Sequence, residues 1–147
     1  MKNHANELIT GLFEGNANVV EDKLNVLLEK YVSIRDFAVN APKENYYHDF
    51  INGLLVNGIS LIKEQKSNFE SGNGYMDLII KSRNDIEEIA ILELKQTPDE
   101  NGNVDLMARE AVEQIIRKKY AEPYIRRESL DTVNIYGICF CKKDCFV

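Results

Sequence analysis

The stretch Glu87-Glu88-Ile89-Ala90-Ile91-Leu92-Glu93-Leu94-Lys95-Gln96 decides the fold. Every position from Ile89 to Leu92 is apolar, so an extended strand here is hydrophobic on both faces. Such a strand sits in the middle of a sheet and is covered on both sides. Charge enters only at its end. Glu93 and Lys95 share a face with Ile89 and Ile91, while Ala90, Leu92 and Leu94 take the other. The ends of central strands are where α/β sheets place their sites.

Upstream lies a second β-rich run, Tyr75 to Ser82. The polar connection Arg83-Asn84-Asp85-Ile86 between the two runs suggests a hairpin. Centred on Asp85, that hairpin pairs positions that sum to 170 and sets Asp77 opposite Glu93. Opposed residues have Cβ atoms about 4.5–5.5 Å apart. Two carboxylates that close repel, and a divalent cation is the natural compensation. Hard oxygen ligands suit Mg2+ or Mn2+, and the Leu94 carbonyl could add a ligand. A metal so held could polarise a phosphate and activate water. Lys95 could orient that water or stabilise transition-state charge. The plainer alternative is a hairpin with two surface carboxylates and a surface lysine.

Further out, Ser71-Gly72-Asn73-Gly74 is a turn signal that follows a strand expected over 60–69. A helix is expected from about Val104 to Tyr120. Val104, Met107, Ala108, Ala111, Val112, Ile115 and Ile116 form its apolar stripe. Thr132 to Cys141 reads as another strand. Strand, helix, strand implies a crossover and a parallel pair. The fold class is therefore α/β, a mixed sheet with helices packed on it.

The first third is helical. Val20, Leu24, Leu27, Leu28 and Tyr31 recur at helical spacing, and Asn16 or Asn18 can cap the start. Pro42 breaks the chain. A helix from about Lys43 to Gly58 follows, with Tyr47, Phe50, Ile51, Leu54 and Leu55 on one stripe. Residues 1–40 read as an N-terminal helical arm packing on a core formed by 41–147, the two making one compact unit.

The chain of 147 residues fits one domain. Its formal charge of -6 counts against a broad electrostatic grip on nucleic acid. A basic cluster, Lys118, Lys119, Arg126 and Arg127, is the exception, and its plainer reading is a solvated helix face. No apolar run approaches the ~18 residues of a membrane span, and the first residues lack a secretory apolar segment. The expectation is a soluble, cytoplasmic protein. Cys139, Cys141 and Cys145 match no familiar zinc spacing and read as plain thiols in or after a buried strand.

Asp77, followed about sixteen residues later by Glu93-Leu94-Lys95, resembles the PD-(D/E)XK nuclease superfamily. Several stretches resemble more narrowly the nuclease-like domain at the C-terminus of bacterial proteins whose N-terminal domain is AAA-ATPase-like. These are Tyr46-Tyr47-His48-Asp49-Phe50 with Gly53-Leu54-Leu55, Glu70 through Asp77, Ile91 through Lys95, Ala111 through Ile115, and Lys119-Tyr120-Ala121. The resemblance implies a restriction-endonuclease-like sheet core and Mg2+- or Mn2+-dependent hydrolysis of DNA, more readily than of RNA. It implies Asp77, Glu93, Lys95 and Gln114 as catalytic residues. Asp77, Glu93, the Leu94 carbonyl and His48 would be metal ligands, and Gln114, Lys118 and Glu70 substrate contacts. It also implies an ATPase-like domain as a partner. The chain departs from the family where Met76 replaces an Arg and where Lys118 takes the place of a Tyr, leaving Tyr120 to packing. A catalytically silent domain that binds nucleic acid or protein is the alternative.

Overall fold

The computed structural model describes residues 2–31, 45–71, 74–83, 88–96, 104–117, 132–141 and 144–147. Three helices come first: α1 (Lys2–Glu14), α2 (Ala17–Tyr31) and α3 (Asn45–Asn57). A 3-10 turn (Ile59–Leu61) leads into β1 (Ile62–Ser71), β2 (Gly74–Ser82) and β3 (Glu88–Gln96). Helix α4 (Val104–Arg117) then crosses to β4 (Thr132–Cys141), and β5 (Asp144–Phe146) closes the order. Among the described residues these strands form one sheet in the order β1-β2-β3-β4-β5. The β3–β4 pair is parallel and its neighbours are antiparallel, so the sheet is mixed and β3 is central.

The early helical region is two helices, and local chemistry explains the break. Gly15 adopts φ 75°, a left-handed conformation that glycine takes without steric penalty. The Asn16 amide donates back to the Gly11 carbonyl at 3.0 Å, which closes the C-terminus of α1 in a Schellman arrangement. Asn16 then begins α2: its Oδ1 accepts from the Val19 amide at 3.2 Å. One residue thus ends a helix and caps the next. The strand expected from Ser60 begins two residues later, because Ile59–Leu61 coil into the 3-10 turn.

Alternation along the strands divides the core into two layers. On one face Leu78, Ile80, Ala90 and Leu92 pack with Leu8, Leu12, Leu24 and Leu28 of α1 and α2 and with Tyr47, Ile51, Leu54 and Leu55 of α3. On the other face Ile79, Ile89 and Ile91 pack with Ile115 of α4. Nearer the start of α4, Val104 and Ala108 cover Cys139 and Cys141. Ile116, expected in the apolar stripe, is 62% exposed. Polar ties fix the first layer to the sheet. The Tyr136 hydroxyl donates to the Leu12 carbonyl at 2.7 Å, and Asn134 Nδ2 donates to the Phe13 carbonyl at 3.0 Å. The carboxamide of Asn25 on α2 both donates to and accepts from the Cys145 backbone, which holds the three-residue edge strand β5 in place.

Candidate functional site

The β2–β3 ladder runs Leu78–Leu92, Ile79–Ile91, Ile80–Ala90 and Lys81–Ile89. Each pair sums to 170, the register read from the sequence. Asp77 lies in β2 one residue beyond Leu78, and its side chain falls outside the described residues. At the matching end of β3, burial gives way in steps: Ile91 and Leu92 are buried, Glu93 is 5% exposed, and Lys95 is partly exposed. Leu94, between them, packs on the opposite face against the larger core.

A buried carboxylate needs partners, because desolvation penalises its charged form. Glu93 obtains them from α4 and from its own strand. Gln114 Nε2 donates to Glu93 Oε1 at 2.9 Å. Lys95 Nζ donates to Gln114 Oε1 at 2.9 Å and stands 3.7 Å from Glu93 Oε1. The three groups close a small loop in which the amide relays between ammonium and carboxylate. Charge on both sides polarises that amide and strengthens each hydrogen bond. The loop faces α4, on the side of the sheet that carries Ile89 and Ile91.

The neighbouring strand completes this wall. In the parallel register Glu93 lies beside Gly137 and Lys95 beside Cys139. Cys139 is fully buried, with its Sγ 4.0 Å from Met107 Sδ. Burial, aided by neighbouring Cys141, pushes its thiol up to about 11. A thiol so held is neutral near pH 7 and a poor nucleophile. All three cysteines are buried and none is in a disulfide. Among the described residues no three His, Cys, Asp or Glu side chains converge as a metal site.

His48 sits on α3, which packs on the opposite face of the sheet from α4. Its Nδ1 accepts from Asn52 Nδ2 at 3.1 Å. Asn52 Oδ1 in turn accepts from Gln65 Nε2 at 2.8 Å and Ser67 Oγ at 3.2 Å. One carboxamide therefore joins the histidine to β1. Glu70 is in β1, paired with Tyr75 in backbone register, and its side chain is outside the described residues. Lys118, Lys119, Tyr120, Arg126 and Arg127 lie outside them altogether.

The structure thus brings Glu93, Lys95 and Gln114 together. Sequence reading missed the neighbours that build their wall, Gly137 above all. A glycine inside the otherwise apolar strand Ile135–Phe140 was the available signal, since it marks a close backbone approach.

A model of the PD-(D/E)XK nuclease superfamily matches residues 42–147. The match takes in α3, all five strands and α4, and it begins after α1 and α2. No curated protein matches the chain in sequence. The mixed sheet, with helices on both faces and a Glu-Leu-Lys strand end at its centre, is a restriction-endonuclease-like core. By the family match over most of its length and by this architecture, the chain belongs to the PD-(D/E)XK nuclease superfamily.

Proposed function

We propose that this domain hydrolyses phosphodiester bonds in DNA with the help of Mg2+ or Mn2+ bound at the end of β3. The observation that carries the reading is the Glu93–Gln114–Lys95 loop in a chain of nuclease ancestry. The β2–β3 ladder ends at Leu78–Leu92; its continuation by one residue would set Asp77 opposite Glu93, as the proposal requires. Two carboxylates and the Leu94 carbonyl would form a hard oxygen donor set, which suits these cations and not a soft metal. When bound there, the cation supplies Lewis acidity and lowers the pKa of a coordinated water.

The rest of the chemistry belongs to the chain. Lys95 carries a positive charge at the mouth of a buried carboxylate, positioned to stabilise negative charge on a phosphoryl oxygen. Gln114 holds that ammonium in place and keeps a donor on Glu93. The apolar floor of Ile79, Ile89 and Ile91 limits water below the site and strengthens the electrostatics above it. Glu70 is proposed as a substrate contact, with Lys118 contributing to substrate binding; His48, expected as a metal ligand, sits on the opposite face of the sheet from the loop and is bonded to Asn52, so it is left out of the donor set. The formal charge of -6 favours a second reading, a silent nuclease-fold domain that binds nucleic acid or protein.

The test is cleavage of single- and double-stranded DNA in Mn2+ and Mg2+ by purified wild type, Glu93→Gln, Lys95→Met and Asp77→Asn. Metal-dependent cleavage lost in each variant supports the hydrolase. Cleavage that persists in all three belongs to a contaminant, and no cleavage by a folded, Mn2+-binding wild type favours the silent domain.

A further inference from the structure

Glu93 and Lys95 obtain their bridge from a residue on another element, so the distance between α4 and the sheet decides whether the loop can form. Gly137 lies where α4 meets β4. It is buried in β4 directly beside Glu93. A methyl group there would run into the Ala108 carbonyl oxygen and stand 2.9 Å from both Ala111 Cβ and Val112 N. Carbon atoms in contact normally rest about 3.5–4.0 Å apart. The α4 backbone therefore lies on the β4 backbone with only hydrogen between them. Ala108 and Ala111 are the buried small residues that complete the seam.

Gln114 follows Ala111 by three residues and so shares its side of the helix. Its two hydrogen bonds are both 2.9 Å. Lifting α4 by roughly 1 Å would carry both past the limit of a hydrogen bond.

We propose that Gly137 is a positioning residue: by carrying no side chain it seats α4 close enough for Gln114 to bridge Glu93 and Lys95. The role of the bridge in catalysis rests on the proposed function. The seating of Gln114 does not, and it can be measured without metal, substrate or activity.

The experiment is a 1H–15N correlation spectrum of the side-chain carboxamides in the full chain. The Gln114 signal is assigned by its loss in Gln114→Ala. In wild type it is displaced from the position of solvent-exposed glutamines, because one N–H meets a carboxylate. In Gly137→Ala we expect it to move to the exposed position, while backbone amides of β1 and β2 stay in place. Ala111→Ser adds one heavy atom to the same seam from the helix side and is expected to move the signal part of the way. It also serves if Gly137→Ala does not fold. A Gln114 signal unchanged in Ala111→Ser and in folded Gly137→Ala overturns the proposal. A displaced signal in a protein that never cleaves DNA would leave the positioning role standing and remove only the hydrolase.

Discussion

Replacing Lys95 by Met keeps most of the side chain's length and removes its charge, which takes the Lys95 ammonium from the buried Glu93 carboxylate. The magnitude follows from the geometry. At 3.7 Å and an effective dielectric of about 20, the attraction is about 4 kcal/mol. The lysine side chain is 33% exposed, and solvent screening reduces this to about 2 kcal/mol. The variant also takes the donor from Gln114 Oε1. We therefore expect Lys95→Met to lose about 2 kcal/mol of stability at pH 7 without divalent metal, a fall of roughly 4–8 °C in Tm. Denaturant and thermal melts followed by circular dichroism read this directly. Adding Glu93→Gln should recover most of the loss, because the double variant no longer buries the carboxylate charge. Mn2+ should also recover it. A ligand at 100 times its Kd adds about 2.7 kcal/mol, and the cation takes over the neutralisation that the ammonium gave. Mn2+ should therefore stabilise Lys95→Met more than wild type. A Lys95→Met protein as stable as wild type, with Glu93→Gln no help in that background, would refute the electrostatic account. An intact charge effect with no Mn2+ response would refute only the metal site.

Two other predictions concern parts of the molecule away from the site. Glu64 bonds Lys66 and Lys81 at 2.9 and 3.0 Å, and those hydrogen bonds hold its carboxyl down at about 2. A carboxyl lowered on folding stabilises above its unfolded pKa of about 4.5 and loses that stability as pH falls toward 2. Glu64→Gln should cost about 1 kcal/mol at pH 7, discounted for exposure, and its difference from wild type should shrink between pH 4.5 and 2. A difference independent of pH in urea melts would contradict this. Deleting residues 1–31 removes Leu8, Ile9, Leu12, Leu24, Leu27 and Leu28 from the larger core and strips the cover from Tyr136. We expect the remaining fragment to aggregate or to melt without cooperativity; a soluble fragment with a sharp transition would make the two helices a separable arm.

Sequence by itself determined the centre of this protein. The run from Ile89 to Leu92 is apolar on both faces, and that pattern has one physical outcome, a strand covered on both sides. It made β3 central, gave Glu93 and Lys95 their shared face, and set the hairpin register, because strand periodicity is local and a one-residue slip would bury the wrong side chains. The split of the first helical region was half legible: Asn16 was a visible cap, but the turn at Gly15 depends on a backbone angle that composition does not specify. Strand β5 is three residues long, too short for periodicity to reveal, and it exists because β4 and the Asn25 carboxamide bind its backbone. Gln114 could be matched to a family, yet its contact with Glu93 could not be read from spacing, since the two lie 21 residues apart. Tertiary structure decided that contact. The seam between Gly137 and Ala111 sets how closely α4 approaches the sheet, and van der Waals contact between distant segments leaves no local periodicity in either one.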